Sequence, residues 1–118
     1  MIKTFRDLIV WRKALVFVSA VYRVSRAFPK DELYGLVSQI RRCAVSIPSN
    51  IAEGFGRRST GDYIRFLQMS AGSLCELQTQ LEIARNVQYL SEEAYNELYD
   101  SSREIERLLS SLIKSLAR

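Results

Sequence analysis

The sequence predicts an all-α protein, an up-and-down four-helix bundle, on three observations. Apolar residues recur at spacings of three and four along four long segments, which is the period of an amphipathic helix. No stretch alternates with the period of two that a half-buried strand requires. The connections between the segments are short, which makes neighbouring helices antiparallel. One domain spanning residues 1–118 is expected, since a chain of this length buries a substantial core without disulfides or metals.

The first predicted helix runs from about Asp7 to Phe28 and is closed by Pro29. It carries two apolar stripes, Trp11–Leu15–Val18–Tyr22 and Val10–Ala14–Phe17–Val21–Val24–Phe28, an arc wide enough to pack on more than one neighbour. Its remaining face holds Arg12, Ser19, Arg23, Arg26 and Lys30, with Ala20 and Ala27 beside them. The second helix is expected to start near Asp31, where acidic residues favour the positive end of the helix dipole. Its buried stripe is Leu33, Leu36, Val37, Ile40, Ala44, Ile47 and Ile51, and it stops at Gly54–Gly56 on a left-handed glycine. Ser59 caps the third helix, with Asp62 three residues on. That helix has a 3-4-3-4-3 seam of Leu67, Ser70, Leu74, Leu77, Leu81 and Ala84, and its "SAGS" at 70–73 permits a close crossing. Ser91 caps the fourth helix, whose core residues are Leu98, Ile105, Leu109, Leu112 and Leu116.

Within the second helix Pro48 is out of place. It removes a backbone donor and crowds the preceding turn, at a cost of roughly 3 kcal/mol. A proline-kinked helix is expected, with the carbonyl of Ala44 freed and nearby Ser or Asn side chains suited to satisfy orphaned backbone groups. Arg42, Ser46, Ser49, Glu53 and Arg57 share one side of it, flanked by Asn50. That polar side either faces another protein surface or cavity, or is a solvated face beside a locally repaired kink. Glu53 can pair with Arg57 one turn later or with an arginine of a neighbouring subunit.

The composition disfavours catalysis. With no histidine, the side chain that titrates nearest neutrality is missing, and the Glu-x-x-His pairs of di-iron bundles cannot form. Ser73 and the serines around Pro48 have no evident base. No catalytic residue, metal ligand or cofactor is therefore expected. Cys43 and Cys75 fall in helical segments and read as small buried thiols in a reduced cytoplasm rather than as a redox pair. No apolar run approaches the ~20 residues of a membrane span, and no signal peptide precedes the first charges, so a cytoplasmic location without membrane contact is expected.

Charge is unevenly distributed. Residues 1–59 hold eleven Lys/Arg against four Asp/Glu, a net +7, whereas residues 60–118 hold six against nine, a net −3. Such asymmetry fits either a face for a polyanion or two halves that attract across a subunit contact. Arg12, Arg23, Arg26, Lys30, Arg41, Arg42, Arg57 and Arg58 are the candidate phosphate contacts, RNA or DNA alike, since arginine suits bidentate phosphate binding. No exposed aromatics are evident among these charges, so backbone or shape recognition is expected rather than base stacking.

Three stretches carry a family resemblance: "FRDLIVWRKA" at 5–14, "FPKDELYGLVSQIRRCAVSIPSNIAEGFGR" at 28–57 and "RFLQMSAGSLCELQTQLEIA" at 65–84. With the central "SIPSNIAEG" they resemble the four-helix-bundle proteins named for intervening sequences in 23S ribosomal RNA genes. Two positions depart from the family pattern, Cys43 where a small residue is usual and Ala71 where a basic one would fit. The resemblance implies a cyclic homopentamer and no enzymatic activity. A related branch is similar to the accessory variability protein of diversity-generating retroelements, which implies association with nucleic acid and a reverse transcriptase or other protein partner. In such a ring Trp11, Tyr22, Ser46, Pro48, Ser49, Asn50 and Glu53 are the expected structural and interface residues, because the two-stripe first helix and the polar side of the second exceed what one bundle core needs. Head-to-tail contacts close into rings when their rotation allows.

Overall fold

The computed structural model describes Met1–Arg118 and contains four long helices: α1 (Ile9–Ser25), α2 (Leu36–Phe55), α3 (Thr60–Asn86) and α4 (Glu92–Leu116). No strand is present. Each helix packs on its neighbours in sequence, α4 closes the square on α1, and the diagonal pairs do not approach. The particle measures 44 × 24 × 20 Å. All three connections reverse direction: Ser25 meets Arg41, Ile47 meets Ser70, and Gln78 meets Ser102.

The α3 seam is buried throughout, Leu67, Ser70, Leu74, Leu77, Leu81 and Ala84 all lying in the interior. They face Val10, Ala14, Phe17 and Val21 of α1, the Val37–Ile51 stripe of α2, and Leu98, Ile105 and Leu109 of α4 in one apolar cluster. Leu112 and Leu116, expected in that core, are half-buried against its end, while Tyr95 and Ser102 are buried additions from α4. Ser59 and Ser91 cap as expected, accepting the N–H groups of Asp62 and Ala94 at 3.1 Å each. In "SAGS" the small residue that admits the neighbour is Ser70, whose hydroxyl donates to the Ile47 carbonyl at 2.9 Å. Gly72 points to open space.

The element ends depart from the sequence reading in three places. α1 stops at Ser25 and tightens into i→i−3 turns, Ala27 N–H to Val24 and Phe28 N–H to Ser25. Pro29 disfavours helical backbone at the residue before it, yet Phe28 still reaches the core. α2 begins at Leu36 rather than Asp31, because the Glu32 carboxylate accepts the Leu36 N–H at 3.1 Å and so caps the helix from outside. Lys30–Glu32 form a separate 3-10 turn, and Leu33 is 49% exposed rather than buried. At the other end of α2 no glycine is left-handed; Gly56 has φ −79. The one positive φ belongs to Gln88, just after α3, where the Tyr89 N–H reaches back to the Ala84 carbonyl.

Candidate nucleic-acid interface and subunit contact surface

Because α1 and α2 form an antiparallel hairpin, the eight predicted cations divide between its ends. Arg23, Arg26, Lys30, Arg41 and Arg42 gather at the α1–α2 turn. Arg12, Arg57 and Arg58 lie at the far end, roughly 20 Å away at 1.5 Å of rise per residue. Of the eight only Arg57 forms an ion pair, with Glu53 at 3.8 Å as the i,i+4 spacing predicts, and it also lies 4.4 Å over the Phe66 ring. The remaining ion pairs join Lys13 to Glu104, Arg85 to Glu92 between α3 and α4, and neighbours one turn apart within α3 or α4. Seven candidate cations thus have no carboxylate partner. Arg12 is instead held by the Asp7 carbonyl at 3.0 Å.

Arg41 is the most constrained of them. The buried Ser25 hydroxyl accepts its Nε–H at 2.8 Å, the Tyr22 carbonyl accepts from its terminal nitrogen at 3.3 Å, and the guanidinium lies 4.7 Å over the Tyr22 ring. Two concavities flank it. One, of about 410 Å³, is lined by Ser25, Arg26, Phe28, Lys30, Val37 and Arg41. The other, of about 390 Å³, shares Val37 and Arg41 and adds Tyr22, Tyr34 and Arg42. Tyr34 is 92% exposed and Tyr22 37%. Aromatic rings do therefore stand among the cations, contrary to the sequence reading. The sequence places Tyr34 inside the second helix, whereas it lies in the non-helical stretch before α2 begins at Leu36.

The interface candidates do not form one surface. Trp11, Pro48 and Ser49 line an apolar groove of about 360 Å³ between α1 and α2, with Leu15, Val18 and Val45. Phe5 packs edge-on against Trp11 at 5.1 Å and closes one end of the groove. Ser46 faces the opposite side, in a polar recess with Gln39, Arg42, Cys43 and Glu76. Its hydroxyl donates to the Cys43 carbonyl at 2.6 Å, and the Asn50 amide donates to the Ser46 carbonyl at 2.9 Å. Neither bond goes to Ala44, the carbonyl that Pro48 leaves free. Tyr22 belongs to the cationic turn, and Glu53 to its pair with Arg57. The shared polar side expected for α2 is thus split by its two neighbours.

The thiols also differ from each other. Cys43 is buried and its thiol donates to the Ser73 carbonyl; burial, then the Glu76 carboxylate, pushes its pKa up to about 12, so it is an inert protonated group. Cys75 is exposed, not buried as the sequence suggested. No group of three or more histidines, cysteines, aspartates or glutamates is placed to hold a metal ion. No helix is long and apolar enough to cross a membrane.

One ionisable cluster joins α3 to α4. The Tyr95 hydroxyl donates to Glu82, which also holds Arg85 at 2.7 Å. The Tyr95 bond, chiefly, keeps the Glu82 carboxyl below its ordinary 4.5, while burial and then Glu82 push the Tyr95 phenol up to about 12. A depressed carboxyl stabilises the fold above its ordinary value and loses that contribution as pH falls through the folded one. A raised phenol stabilises below 10.0 and loses that as pH climbs to about 12. The melting-temperature deficit of Tyr95→Phe is therefore expected to be largest between these limits and to shrink at both extremes. A deficit of the same size in acid and at neutrality would show that Glu82 is not linked to Tyr95.

One core shared by four antiparallel helices, with a cationic turn at one end and an apolar groove along one side, defines a small four-helix-bundle protein. The chain belongs to the 23S rRNA-intervening sequence protein family, whose profile matches residues 6–111. It is similar to the crystal structure of a protein of unknown function from the S23 ribosomal protein family of Bacteroides thetaiotaomicron. The two are 28% identical with a TM-score of 0.84, over 90% of this chain and 96% of that one. No curated protein matches the chain significantly. Neither the family nor the neighbour indicates an enzymatic activity.

Proposed function

We propose that the protein is a non-enzymatic, oligomeric four-helix adaptor that binds RNA or DNA through the cations of the α1–α2 hairpin. The observation that carries this reading is the cluster of Arg23, Arg26, Lys30, Arg41 and Arg42 at one turn, none of them in an ion pair. Cations that neutralise no carboxylate of their own chain are available to release counterions from a phosphate backbone. Assembly into a cytoplasmic homopentamer, with Pro48 kinking α2 at the subunit joint, belongs to the same reading and rests on the family resemblance. A ring would present the cationic turn five times. A protein partner such as a reverse transcriptase rests on that resemblance as well.

The test is fluorescence anisotropy of labelled RNA and DNA at two salt concentrations. Log affinity is expected to fall with log salt at about −0.9 per phosphate contact on duplex DNA. Replacing Arg23, Arg26 and Lys30 together with glutamine should reduce that slope by about three contacts and leave helicity intact. Unchanged binding would remove this face from consideration.

A second reading is favoured by the charge split between the two halves of the chain. In it the protein is a structural assembly module without nucleic acid, the basic half of one protomer meeting the acidic half of the next. Salt would then dissociate the oligomer, whereas the first reading has salt release the ligand from an intact one.

A further inference from the structure

We propose that the cationic α1–α2 turn takes an unpaired nucleic-acid strand, with a base stacked on Tyr34, a second against the Tyr22–Arg41 pair, and the intervening phosphate on Arg41. The proposal rests on the nucleic-acid reading above and narrows it to single strands. Three features carry it.

Arg41 is fixed before any ligand arrives. Its Nε–H is spent on Ser25 and its plane is stacked on Tyr22, yet it has no carboxylate partner. A guanidinium held in this way loses little side-chain freedom on meeting an anion. Arg26, Lys30 and Arg42 surround it and are likewise outside every ion pair. The same turn carries the carboxylates of Asp31 and Glu32, the latter kept ionised by the Leu36 N–H and the Tyr89 hydroxyl, so five cations stand against two carboxylates there.

The concavities on either side of Arg41 have apolar floors, with Phe28 and Val37 buried beneath them and Leu33 standing between. Their sizes fall within the ~300–1,000 Å³ of small-ligand pockets. A duplex offers only its phosphate ridges to such a surface, because its bases are stacked inside. An unpaired strand offers phosphates and free base faces together.

Tyr34 is a large ring with almost no packing inside the protomer. On the rim of a cationic hollow it matches the stacking platforms of single-strand binders, where rings and cations alternate along the backbone path. Its exposure also means that its removal leaves the core untouched.

The experiment compares a short labelled oligothymidylate with a blunt duplex of the same length, using full-length protein and its Tyr34→Ala and Tyr34→Phe variants. The strand is expected to bind more tightly than the duplex. Tyr34→Ala should weaken strand binding between about fivefold and 150-fold, the effect of one lost stacked base, and leave duplex binding unchanged. Tyr34→Phe, which keeps the ring, should restore the strand affinity. Equal binding of strand and duplex, or a Tyr34→Ala variant that binds the strand like the parent, overturns the stacking site while the electrostatic reading stands. Absence of binding to either ligand at low salt overturns both.

Discussion

Replacing Gly54 with valine is expected to destabilise the protein by about 3 kcal/mol, the upper end of ordinary overpacking costs, and to lower its melting temperature by roughly 10 °C. A Cβ at Gly54 would lie 2.8 Å from the Phe66 Cβ, 3.1 Å from Tyr63 Cδ1 and 3.2 Å from the Tyr63 carbonyl. Two of those three atoms cannot rotate away, since one is a backbone carbonyl and the other a Cβ whose position its own backbone fixes. α2 and α3 must therefore separate, straining the Ser70–Ile47 bond further along the same seam. Alanine at this position sets two effects against each other. Helix propensity favours it by about 1 kcal/mol, but a 2.8 Å contact costs more than that, so Gly54→Ala should also destabilise, less severely. Gly72 provides the opposite case in the neighbouring helix. Nothing lies within 4 Å of its missing Cβ, so Gly72→Ala should stabilise by about 0.5–1 kcal/mol. Thermal melts followed by circular dichroism decide both. A Gly54→Val protein that melts with the parent would mean the helices do not meet at that residue.

Gly54 also shows where the sequence stopped being legible. As one of two glycines at the end of a helical run, it reads as a stop signal, and the helix does stop one residue later. Its reason for being glycine is Phe66 and Tyr63, on another helix, and no local pattern can contain that. The same holds in "SAGS": Ser70 and Gly72 are two residues apart, hence nearly opposite on a helix, and only one can face α2. The seam of α3 was legible because its register repeats over five turns, and so were the Ser59 and Ser91 caps, which need only residues within one turn. The start of α2 was not, since its cap comes from a long glutamate side chain reaching across four residues rather than from a short hydroxyl at the boundary. For the candidate site, the identity of the cations was legible but not their grouping. That follows from the hairpin, which places Arg41 beside Ser25 and carries Arg57 to the other end. Tyr34 lies where the sequence extends the second helix too far, to Asp31, so its position among the cations required the folded chain.

If the proposed ring is joined through the apolar groove, Leu15→Glu is expected to reduce it to a monomer while leaving the protomer folded. Leu15 and Val45 are each 40% exposed along the groove that Trp11 and Pro48 line. α1 thus leaves Leu15 and Tyr22 of one stripe exposed, with Trp11 and Val18 half-buried, while Val10, Ala14, Phe17 and Val21 of the other fill the core. A carboxylate at an exposed position costs the isolated protomer little. At a subunit joint it must be desolvated without a partner, a penalty of several kcal/mol for each interface, and a ring incurs that penalty at every joint. Sedimentation equilibrium at micromolar concentration should give the ring mass for the parent and the protomer mass for the variant, with matching helicity and melting. Nucleic-acid affinity should fall along with the mass even though no cation has been touched, because linked copies of one weak site bind a single strand with an effective concentration that separate copies lack. That joint loss separates the two readings of the charge split. If the basic and acidic halves exist to hold subunits together, salt alone should dissociate the parent as completely as Leu15→Glu does. If the apolar groove is the joint, the parent ring should persist in salt that has already released its ligand. A parent that sediments as a monomer would leave the Trp11–Pro48 groove without a second copy to cover it, and the cationic turn would then act once per molecule.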